Sequence, residues 1–469
     1  MTKQTTLGEV KTAGGGKQSL LGRAASFFVL LFEQYMPDPY VFAIVLTLLG
    51  AALAWAFAPQ GNLLNVASSW YEGIFQIFTF AFQVVIMLVA GYALATSPWV
   101  HRGLARLANS VKSPAAAISL TVFVSMVASW LNWGLGLVTA ALLAREVAKN
   151  KNVRVDFGWL VAAAYSGFVI STEGLSGSIA LSQATHGSAL NIVEKVTGQI
   201  LTLNQTVFTT LNIVPILALL VLLPLVFRYL APPAGQEVVA DPDRLRAEDQ
   251  AKPAPAHEHG FGAQLDRAWI LNLALAAFGL FAVGVEVAVH HAGVDLNLVI
   301  VTLILLGMMM HGRPAAYVTA IKNAARVTGP LILQYPLYGG IMGIMTGTGL
   351  ASVFSKAFIR ASTAHTLPFF TYLTSMIITF FIPSGGGHWA VQGPFAIPAA
   401  VSLHTSTAAT TMAVAMGESV ANMLQPFFAL PLLAIAGVKM QRMMGFMVIT
   451  FVVSFVVFGA SLLFLLPRV

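Results

Sequence analysis

Four short stretches set polar side chains and glycines inside otherwise apolar runs, where they could bind an ion or a small polar molecule. They read "SWLNWGLGL" (129–137), "YSGFVISTEGLSGS" (165–178), "PSGGGHWAVQGP" (383–394) and "AMGESVANMLQP" (415–426). Glycine is about 1 and proline about 3 kcal/mol worse than alanine in a helix interior, so these stretches predict interrupted helix. Glycines also let backbone N–H groups come close to a ligand. The N-terminus of a half-helix then offers those groups to an anion, while a C-terminal carbonyl end can hold a cation. The chemistry expected here is binding, much of it by backbone.

In the third stretch, Ser384 with Gly385, Gly386 and Gly387 forms the best anion cradle, and Gln392 lies close beyond it. His388 could donate to a carboxylate or carry a proton, because modest shifts change the charge of an imidazole near neutral pH. The competing reading is a neutral histidine that ties down a turn. Asn132 and Gly134 are the corresponding candidates in the first stretch, and Thr172 and Asn422 complete the expected substrate-binding set. Glu173 and Glu418 are acids inside the interruptions, and an unpaired carboxylate at membrane depth is costly. Each is a candidate proton carrier or part of a Na⁺ site, with Ser176, Ser178 and Gln425 nearby; the alternative is a carboxylate capping a half-helix. Trp133 and Trp389 read as packing or tip anchors. No lysine or arginine falls in the motifs, which favours a monocarboxylate over a multiply charged anion.

These residues must be positioned by membrane helices. Of 469 residues 57% are hydrophobic and only 9% charged, whereas soluble domains carry about 25% charged residues. Apolar runs near 20 residues recur throughout, so the chain reads as an all-α polytopic membrane protein. The net charge of +7 sits in short loops and sets topology rather than binding nucleic acid. With no cysteine, disulfides and thiol chemistry are excluded. No cofactor is expected beyond a coupling Na⁺ or H⁺.

Clear spans are expected near 38–58, 72–96, 206–229, 267–290, 296–311, 328–350 and 444–466, with broken helices at 156–184 and 406–436. Stretches 114–146 and 366–403 are too long for one crossing and weak in the middle, so they read as re-entrant hairpins. The expected architecture is thus about nine transmembrane helices plus two hairpins. Residues 1–25 read as a cytoplasmic tail without a signal peptide's apolar core, and 26–37 as an interfacial helix ending at Pro37. The polar, Pro-rich 231–266 reads as a largely disordered cytoplasmic linker between a first repeat (26–230) and a span plus second repeat (267–469). Its His257 and His259 have no further ligand nearby. With the N-terminus inside, the basic loops around Arg106, Lys149, Lys322 and Lys439 all fall in the cytoplasm, and only that with Lys356 and Arg360 falls outside.

The halves match at a nearly constant offset: "SMVASWLNWGLG" begins at Ser125 and "SMIITFFIPSGG" 250 positions on, at Ser375. Gly167 and Gly417 keep the same spacing, and upstream Gly50 pairs with Gly307 and Gly91 with Gly347. Four spans and a hairpin per half, with span 267–290 between, would place the second half upside down. That is the inverted-repeat plan of secondary transporters, whose sites lie at paired interrupted helices.

At "EQYMPDPYVFA" (33–43), "WYEGIFQIFTFAFQVVIMLVAGYALA" (70–95), "SWLNWGLGLV" (129–138) and "PSGGGHWAVQGP" the chain resembles the short-chain fatty acid transporter family (AtoE-type), over nearly its whole length outside tail and linker. The resemblance implies inner-membrane uptake of butyrate- or acetoacetate-like acids by secondary transport. It also implies kinship with a superfamily of hairpin-containing, frequently dimeric ion transporters; membrane lipid, a carboxylate substrate and a homodimer partner are the expected contacts. The Ser-Asn-Thr signature of dicarboxylate carriers is absent, so their Na⁺ coupling does not carry over. Rival readings are a C4-dicarboxylate or other organic-anion carrier, a passive channel, and an intramembrane acyl hydrolase using Ser384 and His388. No acid is placed in sequence to orient that histidine.

Overall fold

A computed structural model describes residues 39–466 apart from 77, 189, 233–234, 236, 251–259, 291–295, 327, 351, 354–355, 357–359 and 384. The expected tail, the 26–37 helix, His257, His259 and Ser384 lie outside the described residues.

Every regular element described is helical. Helices α1 (Pro39–Phe57), α2 (Leu63–Gln76) and α3 (Phe78–Ala95) come first, followed by the amphipathic α4 (Pro98–Ser110). The stretch read as a first hairpin is α5 (Pro114–Leu131) and α6 (Trp133–Ala148), hinged at Asn132. Ser113 caps α5 by accepting from Ala116 N, and proline occupies its first turn, where a missing N–H costs nothing. Asn132 both ends α5 and caps α6, accepting from Leu135 N at 2.9 Å. The first broken helix is α7 (Phe157–Ser166) with a 3₁₀ turn (Gly167–Ile170), then a non-helical stretch, then α8 (Ser178–Ala184). Short α9 (Ile192–Thr197) and long α10 (Thr210–Tyr229) close the first half.

After the linker, with α11 (Pro242–Gln250) and α12 (Phe261–Arg267), come α13 (Trp269–Ala288), α14 (Leu296–His311), α15 (Pro314–Ala325) and α16 (Gly329–Gly347). The second hairpin stretch is α17 (Leu367–Phe381) and α18 (Gly385–Ser402). The second broken helix is α19 (Thr407–Ala421) and α20 (Ala429–Ala436), and α21 (Met440–Phe464) ends the chain. Five stretches among the described residues are long and apolar enough to cross a membrane, one of them the hairpin arm α5; shorter apolar helices of 10–17 residues add to these. At 1.5 Å per residue, the 18 residues of α5 extend about 27 Å, close to the hydrocarbon thickness of a bilayer.

Two bundles result. In the first, α1–α3 pack with α13–α16. Its tightest seam sets α2 against the glycine face of α16: a β-carbon at Gly343 would stand 2.1 Å from Ser69 O, and one at Gly73 2.3 Å from Gly339 O. Small residues let helix backbones touch, the main source of association where lipid removes the hydrophobic drive. Gly343→Leu should split this seam, costing about 1–3 kcal/mol through overpacking. The measurement is thermal unfolding in detergent, with Gly103→Ala, whose β-carbon position meets nothing within 4 Å, as the silent control.

The second bundle holds both hairpins, both broken helices, α10 and α21. Ser125 Oγ donates to Ala164 O at 2.5 Å, and 250 positions on Ser375 Oγ donates to Val414 O at 2.6 Å. A β-carbon on Gly167 would strike Ser125 Oγ at 2.3 Å, and one on Gly417 would strike Ser375 Cβ at 2.5 Å. Asp156 and Ser406, at the same offset, cap α7 and α19 by accepting from Trp159 N and Ala409 N.

Two sequence expectations need correction. The helix is not interrupted across glycines 385–387: α18 starts at Gly385 and runs unbroken past Pro394 and Pro398, and the described non-helical residues before it are Ile382 and Pro383. The described part of the linker is also ordered by contacts. Val238 N donates to Asp156 Oδ2 at 2.9 Å, Phe157 N donates to Val238 O at 3.0 Å, and Arg442 Nη2 pairs with Asp156 Oδ2 at 2.5 Å. Lys151 lies 3.1 Å from Asp243, holding that carboxyl below its usual range by hydrogen bond and charge.

Candidate functional site

The two helix breaks face each other. Glu173, in the first, is fully buried. Its Oε1 accepts from Thr172 Oγ1 at 3.1 Å and its Oε2 from Ser419 Oγ at 2.9 Å, Ser419 belonging to the second broken helix. The Thr172 hydroxyl also lies 3.0 Å from Ala415 O and touches the Ser419 hydroxyl. Asn212 Nδ2 on α10 donates to the Glu173 carbonyl at 2.9 Å.

The α5–α6 tip docks on this break. Trp133 N donates to Ser176 Oγ at 2.9 Å and Leu175 N donates to Trp130 O at 2.8 Å. Only glycine fits at 174, where a β-carbon would lie 2.2 Å from Trp130 O. Ser176, an expected coupling residue, therefore spends its oxygen on the hairpin backbone. The Asn132 oxygen is likewise committed to its cap, although its amide nitrogen has no partner among the described residues.

The α17–α18 tip approaches from the other side. A β-carbon on Gly385 would stand 2.3 Å from Ser178 Oγ and 3.5 Å from both Glu418 carboxylate oxygens. His388 is fully buried behind it. Its Nε2 lies 2.6 Å from Gln392 Oε1, and Gln392 Nε2 donates to Thr371 O at 2.9 Å. Since that second bond fixes the amide orientation, His388 Nε2 must carry a hydrogen. Its Nδ1 faces Thr379 Oγ1 at 3.2 Å and Glu418 Oε2 at 3.9 Å. An acid is thus near the histidine after all, but beyond hydrogen-bond reach, and Glu418 Oε2 has no hydrogen-bond partner among the described residues. Trp389 is an anchor, donating to Leu190 O at 2.8 Å.

A cavity of about 680 Å³ opens between the bundles, within the range of small-molecule sites. Of the sequence candidates, Thr172, Ser176, Gly385, Gly386, Gly387 and Glu418 line it, together with Ser178. Gly134, His388, Gln392, Glu173, Asn132, Asn422 and Gln425 stand outside the lining. Gly134 packs on Met87, a β-carbon there meeting Met87 Cγ at 2.8 Å. Asn422 takes the Tyr165 hydroxyl on its carbonyl and sets its side-chain amide beside the Glu418 carboxyl; Gln425 Oε1 accepts from Phe427 N. The sequence reading missed the lining from the other bundle: Met87 on α3, Met342 on α16, and the linked amides Gln83 and Asn297, 2.7 Å apart. A polar residue inside an apolar span was the available signal. Ser171, Ser182 and Ser188 also line the cavity; among the described residues no lysine, arginine or histidine does. Among the described residues no group of three or more His, Asp or Glu is arranged to hold a metal ion.

An all-helical, multi-pass membrane protein with a cavity between two bundles is the class defined so far. A family model described as short chain fatty acid transporter matches residues 20–465, and the chain belongs to that family. A relative from Escherichia coli (strain K12), provisionally named a short-chain fatty acid transporter, is 36% identical over 94% of this chain and 99% of its own length. A Haemophilus influenzae relative with the same provisional name is 32% identical over 95% of this chain and 100% of its own. Among solved structures, the Alcanivorax borkumensis YdaH transporter (16% identity, TM-score 0.47) is matched over 93% of this chain and 97% of that one. Neisseria gonorrhoeae MtrF, from a class of antimetabolite efflux pumps, has 12% identity and a TM-score of 0.49 over 94% and 97%. At these scores the likeness bears on neither substrate nor mechanism.

Proposed function

We propose that this chain is a secondary active transporter of short-chain monocarboxylates, butyrate- and acetoacetate-like, and not an enzyme. It works in the inner membrane with the N-terminus and the 231–266 linker on the cytoplasmic side. The two hairpins and two broken helices form inverted repeats, and the bundle carrying them moves against α1–α3 and α13–α16 to give alternating access coupled to H⁺ or Na⁺.

The observation that carries this reading is the cavity itself. Its wall is shared between the two bundles, so a relative movement would change its access. Its lining combines apolar side chains with serine and threonine hydroxyls and the backbone of glycines 385–387. Those groups suit a short alkyl chain ending in one carboxylate, and the absence of a lysine or arginine from the described lining disfavours a second carboxylate. The family's description points the same way.

Labelled-butyrate uptake into proteoliposomes, corrected for protein-free vesicles, tests the substrate class. Unlabelled acetoacetate should inhibit it and succinate should not. Inhibition by succinate alone would replace this reading with a dicarboxylate carrier.

A further inference from the structure

The coupling ion is the open part of that function, and the wall of the cavity bears on it. A carboxylate substrate held near Gly385 would lie beside Glu418, whose oxygens are 3.5 Å from the Gly385 β-carbon position. Two like charges in a site of low dielectric repel strongly, and no lysine or arginine in the described lining offsets them. Among the described residues the titratable groups facing Glu418 are His388 from α18, at 3.9 Å, and Glu173 from the first helix break. Glu173 is held by the two hydroxyls already described, one of them on Ser419, the residue next to Glu418. Of these groups only His388 can compensate a negative charge.

The surroundings of Glu418 suit a proton better than a metal cation. Hard cations take a shell of oxygens. Glu418 Oε2 instead has no hydrogen-bond partner among the described residues and faces an imidazole nitrogen at 3.9 Å. His388 is oriented for exchange on that side. Its Nε2 hydrogen is committed to Gln392, so a proton can come and go only at Nδ1. The neighbouring Thr379 hydroxyl accommodates both states. It can donate to Nδ1 when that atom is bare, or to Ser375 O at 2.8 Å while accepting from Nδ1–H.

We propose that one proton and one monocarboxylate occupy this cavity together, the proton lodging on Glu418 beside His388 Nδ1, so that transport is proton symport rather than sodium symport. This rests on the monocarboxylate reading above. The step balances simply: Glu418, which lines the cavity, takes up one solvated H⁺ from it, His388 Nδ1 at 3.9 Å is placed to share that proton, and the imidazole ends neutral as it began. Glu418 then presents a neutral carboxyl to the anion, and the loaded cavity carries no net charge beyond that of the empty one. Release of the anion on the other side removes the negative charge that favoured the neutral carboxyl, so Glu418 gives up its proton there.

Butyrate binding to the purified full-length chain in detergent, followed by calorimetry in buffers of different ionisation enthalpy, tests this without interference from leakage of the undissociated acid. From neutral into alkaline pH the apparent Kd should rise towards about tenfold per pH unit and proton uptake should approach about one per butyrate, with no response to sodium. Glu173→Gln should keep that proton uptake, whereas Glu418→Gln should abolish it and flatten the pH profile. Sodium-dependent binding without proton uptake would overturn the inference alone, as would proton uptake surviving in Glu418→Gln. If Glu418→Gln does not fold, the wild-type proton count and sodium response decide the matter. No butyrate binding under any condition would overturn the transport reading and this inference with it.

Discussion

A Gly385→Val chain is expected to insert and fold but to lose butyrate uptake by about 10- to 100-fold. Its β-carbon would stand 2.3 Å from Ser178 Oγ, closer than non-bonded atoms allow, at the point where α18 begins and meets the first broken helix. Relief requires either α18 or α8 to move back, and both carry cavity wall. Overpacking of this kind costs about 1–3 kcal/mol, and each 1.4 kcal/mol corresponds to about a factor of ten in rate. Gly386→Ala should be milder, because its β-carbon position meets only Leu190 Cδ1, at 3.2 Å. Uptake by the two variants, normalised to protein in the vesicles, checks the order; equal effects would mean that the Gly385–Ser178 contact is not critical.

The largest expected effect on stability comes from the double variant Thr172→Val with Ser419→Ala. It strips both hydroxyls from Glu173, a fully buried carboxyl. Leaving a buried polar atom without its partner costs about 1–3 kcal/mol each time, so about 2–6 kcal/mol is expected for the pair. The two hydroxyls lie on different broken helices, so the loss should also loosen one half of the bundle from the other. Thermal unfolding in detergent measures this, and Thr172→Ser, which keeps the hydroxyl, should stay near wild type. A double variant as stable as wild type would mean that these hydroxyls do not hold the carboxyl.

The elements that carry these effects were unequally legible in the sequence. The breaks at 171–177 and 422–428 were visible because Gly, Ser, Glu, Asn and Pro fall together inside apolar runs, and nothing but interrupted helix tolerates that. The offset linking Ser125 and Gly167 to Ser375 and Gly417 was visible too, and each pair meets in the structure. The partners of Glu173 were not. Ser419 lies 246 positions away, and no local pattern states which hydroxyl will face which acid. The interruption expected across glycines 385–387 rests on propensity, which argues against helix there; the close approach to Ser178 keeps Gly385 small while α18 forms around it. Met87 and Met342 escaped notice because rotation of an apolar helix about its axis leaves little trace when both faces are hydrophobic, whereas Gln83 and Asn297, polar inside apolar spans, carried a signal. The docked linker was missed for the opposite reason: its composition is that of a disordered segment, and its order comes from Asp156 and Lys151 on the bundle it covers.

Counterflow tests the central claim, that this cavity carries a short-chain monocarboxylate by alternating access. Proteoliposomes loaded with unlabelled butyrate are diluted into labelled butyrate, beside protein-free vesicles that report leakage. A carrier predicts a transient rise of label inside above its outside concentration, strongly reduced in Gly385→Val. Label that only equilibrates, or enters no faster than into protein-free vesicles, would contradict it.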